Sequence, residues 1–258
     1  MIQVLPYLPE FLDGMWLTVR VSVLAFIGSL FLGTIGALAR LSPVKILNFI
    51  AGIYVEAIRN TPALVQIFII FFGLPAFGIV LPAFWAGVVA LAVNAGAYNT
   101  EIIRAGIQAV PKGQLEAART LGLTRFTTFM RVTFPQAMRT VYPPIINEFI
   151  AIILGTSLLS IIGLTELTST AQIVNSLTFA TIGAFSVSLV LYLVLTNLVS
   201  YLSVVFARTT FKPPLPGTTR KGRIGFLAGK KLLVRAQTAK AYAAPDVHGQ
   251  SVQAPGIR

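Results

Sequence analysis

Five long apolar runs divide this chain, at about residues 11–39, 47–72, 81–103, 145–162 and 179–206. Short polar or basic segments separate them. A helix needs roughly 20 apolar residues to cross a hydrocarbon core about 30 Å thick, and each run is close to that length or beyond it. Lipid offers the backbone no hydrogen-bond partners, so apolar runs of this length are expected to be helices. The expected fold class is all-α integral membrane, with five transmembrane helices. Within the first run Ser29, Gly33 and Ala37 recur at helical spacing. Small residues at that spacing let helix backbones approach closely, which predicts a packed bundle.

The second run is interrupted at Arg59-Asn60-Thr61-Pro62. Pro62 has no N–H and disfavours helix at the residue before it. Two placements of Arg59 follow. It lies within the membrane facing protein or a water-filled cavity, or it lies at the interface, at the end of a surface helix over residues 44–58.

Composition agrees with a membrane setting. Hydrophobic residues make up 55% of the 258, charged residues 11%, and the mean hydropathy is +0.81. Soluble domains carry about a quarter charged residues. There is no cysteine, which excludes disulfides and cysteine-based metal or redox sites. No metal or cofactor is expected. The net charge of +12 raises nucleic acid as a partner, but its distribution argues against one. Ten of the 20 Lys and Arg lie from Arg208 onward, and most others lie in the segments after the first and third runs. The segments 74–80 and 163–178 hold no Lys or Arg at all. Basic and neutral segments therefore alternate. The positive-inside rule puts the N-terminus outside and the C-terminus in the cytoplasm. Glu10 and Asp13 stand at the head of the first run, with no basic residue before it, which argues against a cleaved signal peptide. Residues 1–210 read as the membrane domain. Residues 211–258, basic and rich in Pro, Gly and Ala, read as a disordered cytoplasmic tail.

The segment between the third and fourth runs, about 104–139, is unlike an ordinary loop. Pro111 is placed to open a short helix. Leu115, Ala118 and Leu121 fall on one side of it, and Gly122 is suited to the left-handed conformation that ends a helix. Thr124 is an N-cap for a second helix, which Pro135 closes. The expected product is a compact helical hairpin. Its short helix of small and apolar residues is either a surface for a partner to grip or simply what holds the hairpin together.

Glu116, Ala117, Ala118, Gly122 and Pro135 together resemble the E-A-A loop of binding-protein-dependent ABC importer permeases. Arg59-Asn60-Thr61-Pro62, Leu64-Val65-Gln66, the run from Tyr98 to Gln114, and Thr156-Ser157-Leu158 resemble the polar amino acid (histidine/glutamine-type) branch of that family. The likeness spans about residues 10–210. It implies a type I importer permease in a bacterial cytoplasmic (inner) membrane. The implied partners are ABC ATPase subunits, a second permease subunit (identical or related), a solute-binding protein outside, and an amino-acid substrate. It also implies that Gly113, Glu116, Ala117, Ala118, Leu121, Gly122 and Pro135 couple the permease to the ATPase. The candidates for a translocation path are Arg59, Thr61, Gln66, Asn94, Tyr98, Glu101, Thr156, Ser157 and Ser160. Asn94, Tyr98 and Glu101 share a helical face, Asn147 and Glu148 are expected to begin the fourth helix, and Thr156 and Ser160 are expected to share a face of it. A polar stripe in a membrane helix is either a pathway or a line of interhelical hydrogen bonds.

The branch often carries charged or polar residues where this chain has Leu154, Gly155 and Gly183. Their absence tilts the expected substrate toward an uncharged or zwitterionic polar amino acid. An enzyme is disfavoured. His248 is the one histidine, no paired carboxylates lie at useful spacing, and residues 222–231 lack the spacing of a phosphate loop. The energy source is expected in a partner subunit. The rival reading is a secondary transporter or channel subunit, which would use coupling carboxylates or inverted repeats.

Overall fold

The computed structural model describes residues 2–211. Contacts divide the chain into a unit through Ser203 and a second from Val204 onward. The tail expected over 211–258 lies outside the described residues except for Phe211. Among the described residues all regular structure is helical. The α-helices are α1 (Leu8–Leu41), α2 (Lys45–Arg59), α3 (Ala63–Phe68), α4 (Ala83–Gln108), α5 (Lys112–Thr120), α6 (Arg125–Thr128), α7 (Phe134–Gly155), α8 (Leu167–Thr178) and α9 (Thr181–Thr210).

The centre of the fold is the α1–α4 pair. Gly28 of α1 faces Ala92, Gly33 faces Asn99, and Gly36 faces Thr100. Both numbers in each pair rise together, so the helices run parallel. A Cβ on Gly33 would lie 2.5 Å from that of Asn99 and 3.1 Å from its carbonyl carbon. Glycine is what permits this approach. The closeness lets buried Asn99 donate from Nδ2 to Ser29 Oγ at 3.0 Å. The pairs Gly87–Leu159, Gly155–Leu91 and Gly106–Val141 run in opposite senses, so α7 is antiparallel to α4. One apolar core joins these helices around Val21, Ala25, Ala90, Leu91, Ile152 and Leu159.

The second run breaks where Pro62 was expected to break it: α2 and the helical stretch Ala63–Phe77 meet at 107°. Other sequence expectations are corrected. The fourth helix begins far upstream of residue 145. Helical structure is continuous from Arg125 to Ile162, through a π-helical turn at Phe129–Thr133 and ending in a 3-10 segment at Thr156–Ile162. Asn147 and Glu148 therefore sit inside α7 and do not begin it. The neutral segment 163–178 is largely a helix, α8, because Glu166 caps it, accepting from the backbone N–H groups of Thr168 and Ser169.

Three helical stretches, 3–41, 125–162 and 181–210, are long and apolar enough to cross a membrane, or four if the bent pair is one span. The third apolar run became α4, which carries Asn94, Tyr98, Asn99, Thr100 and Glu101. Asn99 and Thr100 are fully buried against α1, so its polarity meets protein rather than lipid.

Candidate coupling helix and translocation face

α5 stands just past the C-terminus of α4. Pro111 sits at its N-cap with extended backbone. At the other end Gly122 adopts φ +73. Its N–H donates to Arg119 O at 2.9 Å, and that of Leu123 to Ala118 O at 3.1 Å. Those two bonds satisfy carbonyls that a helix C-terminus otherwise leaves open. Nothing lies within 4 Å of a Cβ built on Gly113 or Gly122. The need for glycine at 122 is therefore one of backbone conformation, not of crowding within this chain.

The helix presents Gly113, Glu116 and Ala117 outward, while Ala118 is buried at 4% exposure. Leu121 was expected beside Leu115 and Ala118, yet it is 78% exposed. The helix ends at Thr120, so Leu121 is already off its screw and swings outward. The following helix starts as expected, with Thr124 Oγ1 accepting from Thr127 N at 3.2 Å. Pro135 does not close that helix. It occupies the first turn of α7, where its missing N–H is tolerated. Gln136, next to it, donates to Gln114 Oε1 on α5 and to Val132 O at 2.9 Å. This tie fixes α5 to the base of α7. Sequence reading missed it, because two glutamines 22 residues apart carry no periodic signal.

The path candidates fall into three groups. Thr61, Gln66 and Asn94 form one network at the α2–α3 bend. Gln66 Nε2 donates to Ile58 O at 2.8 Å and to Thr61 Oγ1 at 2.8 Å, and Asn94 Nδ2 donates to Gln66 Oε1 at 3.0 Å. In a continuous helix Ile58 O would accept from the residue at 62, which is a proline. The Gln66 amide replaces the donor that Pro62 lacks, and Asn94 of α4 orients it. Arg59, Tyr98 and Glu101 form the second group. The Arg59 guanidinium lies 5.4 Å from the Tyr98 ring centroid, cation–π distance. Glu101 accepts from Arg104 Nε at 3.1 Å and lies 3.6 Å from Arg40 Nε. Thr156, Ser157 and Ser160 form the third. Their hydroxyls donate to the carbonyls three residues earlier, at 2.7, 2.7 and 2.9 Å. These bonds lie along the 3-10 segment, whose period of three buries Thr156, Leu159 and Ile162. Thr156 and Ser160 consequently do not share a face, as an α-helix would have required.

Glu148 lies outside the path candidates that the sequence suggests. It is a half-buried carboxylate in mid-α7, with no hydrogen bond or ion pair among the described residues. A carboxylate at such a position is a functional candidate by default.

Residues 29–211 match the family of binding-protein-dependent transport system inner membrane components. The chain belongs to that family. The permease is 48% identical over 164 residues to the L-cystine transport system permease protein of Bacillus subtilis, covering 64% of this chain and 70% of that one. It is 39% identical over 186 residues to the probable glutamine ABC transporter permease protein of the same organism, covering 72% and 86%. Among solved structures it resembles an amino acid ABC transporter crystallised with histidines, at TM-score 0.76 and 40% identity, covering 81% of this chain and 97% of that one. An inward-facing methionine ABC transporter at 19% identity, TM-score 0.68, covering 80% and 98%, shares the fold. The permease is thus the membrane component of an ABC importer, with the type I permease fold, and the reading as a secondary transporter or channel is set aside. Importers of this kind work with ATPase and binding-protein partners, and the membrane component is not itself catalytic.

Proposed function

We propose that this permease moves a small zwitterionic amino acid across the bacterial cytoplasmic membrane, and that α5 receives the force of a separate ATPase subunit. The observation that carries the reading is the build of α5. It is a short helix with small residues and Glu116 outward, stopped by a left-handed Gly122, and tied to α7 through Gln114 and Gln136. A partner that grips Gly113, Glu116, Ala117 and Leu121 pulls on α4 and α7 together. Two such permease subunits, identical or related, would enclose the path, and an external binding protein would supply the substrate.

Five crossings are supported by the helix directions, and an outside N-terminus by the basic segments after the first and third apolar runs. α1 and α4 run parallel, as they would if both crossed and the bent segment between them returned across the bilayer. α7 then runs back. Along α9, Tyr192 pairs with Glu166 near one end of the fold and Ser203 O accepts from Tyr142 OH near the other, so α9 opposes α7. The amino-acid substrate is supported by the cystine, glutamine and histidine named in the relatives. Leu154, Gly155 and Gly183 add no charge to the interior. Glu148 offers an acid and Arg59 a base, which suits an ammonium and a carboxylate on the same small solute.

The test is reconstitution of the permease in liposomes with its ATPase and binding protein, and measurement of ATP-dependent uptake of glutamine, cystine and arginine. Uptake of a zwitterion over arginine is expected, and Glu148→Gln should lower it while the ATPase stays bound. Exclusive uptake of arginine would overturn the substrate reading, and uptake without ATP would overturn the coupling.

A further inference from the structure

The corner between α1 and α2 holds an open groove of about 660 Å³, lined by Arg40, Lys45, Asn48, Phe49, Ile53 and Glu56 among others. It lies at the end of α1 where Arg40 meets Glu101, the same end of α4 that leads into α5. Its charged lining is Arg40, Lys45 and Glu56. Lys45 opens α2, the Arg40 guanidinium lies beside Asn48 and Gly52 further along it, and the Glu56 carboxylate accepts from Asn60 Nδ2 at 3.0 Å. Lys45 and Glu56 are 11 residues apart on one helix, roughly 16 Å.

The Arg40 side chain is held in place. Arg40 Nη1 donates to Asn48 Oδ1 at 3.0 Å, and Asn48 Nδ2 donates back to Arg40 O at 2.6 Å. Arg40 Nε is buried and faces Glu101 Oε1 at 3.6 Å, ion-pair distance, without a hydrogen bond. The guanidinium lies against Gly52, where a Cβ would come within 2.9 Å of Nη1. Beyond it Lys45, Phe49 and Ile53 follow at i, i+4 and i+8 along α2. Phe49 and Ile53 are exposed, as are Ile46, Leu47 and Ile50 beside them. A helix with one apolar exposed face and a basic residue at each end, here Lys45 and Arg59, suits a membrane interface. A cationic pocket followed by an apolar track matches a phosphodiester followed by an acyl chain.

We infer that this groove binds the headgroup of an anionic phospholipid, with the phosphate between Arg40 and Lys45 and a chain along Phe49 and Ile53. Such a lipid would hold α2 flat beside the 107° bend.

The experiment is native mass spectrometry of the full-length chain from nanodiscs of phosphatidylglycerol, or of phosphatidylcholine, counting lipid retained. Wild type should keep phosphatidylglycerol in preference to phosphatidylcholine. Lys45→Gln, at an exposed position, should weaken that preference about fivefold, and Lys45→Arg should restore it. Millimolar inorganic phosphate should not displace the lipid. Equal retention of the two lipids, an unchanged preference in Lys45→Gln, or displacement by free phosphate would each overturn the inference.

Discussion

Pro62 removes one hydrogen-bond donor, and much of the local design follows from that loss. Without the Gln66 amide the half-buried carbonyl of Ile58 at the bend keeps only the long bonds from Thr61 N at 3.5 Å and Thr61 Oγ1 at 3.4 Å. A typical intramolecular hydrogen bond contributes about 0.5–1.5 kcal/mol net. Gln66→Leu should therefore lower the thermal stability of the permease in detergent by an amount in that range. Pro62→Ala should restore part of it in the Gln66→Leu background, by returning an N–H at the position the carbonyl faces. A double-mutant cycle measures this, and strict additivity would show that the two residues do not share the carbonyl. The sequence already displayed Pro62 as a break and Gln66 as a polar residue inside an apolar run. It could not show that one repairs the other, because the two residues meet across a 107° turn that neither specifies alone.

At the scale of elements, helix identity was legible where the apolar period was long, and obscured where a side chain overrode it. α1 and α9 match their apolar runs closely. α8 was hidden, since a polar run with no basic residues reads as a loop until Glu166 is seen to cap it. That carboxylate is fully buried, and Tyr192 OH donates to it at 2.8 Å. Burial is the largest influence on it and pushes its pKa above the ordinary value, against the opposing hydrogen bonds from Thr168, Tyr192 and Ser169. A raised folded-state pKa means that protonation favours the fold. The contribution is complete below the unfolded value, about 4.3, and is lost as pH rises through the folded value. Thermal stability should accordingly carry a downward slope with pH above about 4.3 that Glu166→Gln flattens; an unchanged slope would remove the burial argument. The α1–α4 seam makes a separate prediction. Gly33→Val forces a side chain into the backbone of Asn99 and should cost at least about 1–3 kcal/mol, the range for overpacking, read as loss of folded protein on size-exclusion chromatography. The Ser29, Gly33 and Ala37 stripe announced a packed face, but not which helix it packs on.

For the whole molecule, the candidate coupling segment was the most legible part and the candidate path the least. Pro111, Gly122 and Thr124 act through local backbone geometry, so their roles could be read from their types and spacing. Asn94, Thr61 and Thr156 act through contacts between helices, or through a change from α to 3-10 geometry, and residue type does not encode either. Topology is open to a direct check, because the chain has no cysteine and any introduced one is unique. Ser176→Cys on exposed α8 should react with an impermeant maleimide added outside intact cells, and Thr120→Cys on α5 should react only after the membrane is opened. The reverse pattern would invert the proposed orientation. The central claim is that α5 is the handle of a separate ATPase. Ala117 is exposed, so Ala117→Trp leaves the permease fold untouched, and Gly122→Val adds about 1–2 kcal/mol of left-handed strain at the end of α5. The deciding measurement is co-purification of the ATPase with each variant, at membrane levels matched to wild type. Association is expected to weaken by roughly tenfold or more, as for a clash at the core of an interface, with substrate-stimulated ATP hydrolysis falling in step. Wild-type association in both variants would contradict the account.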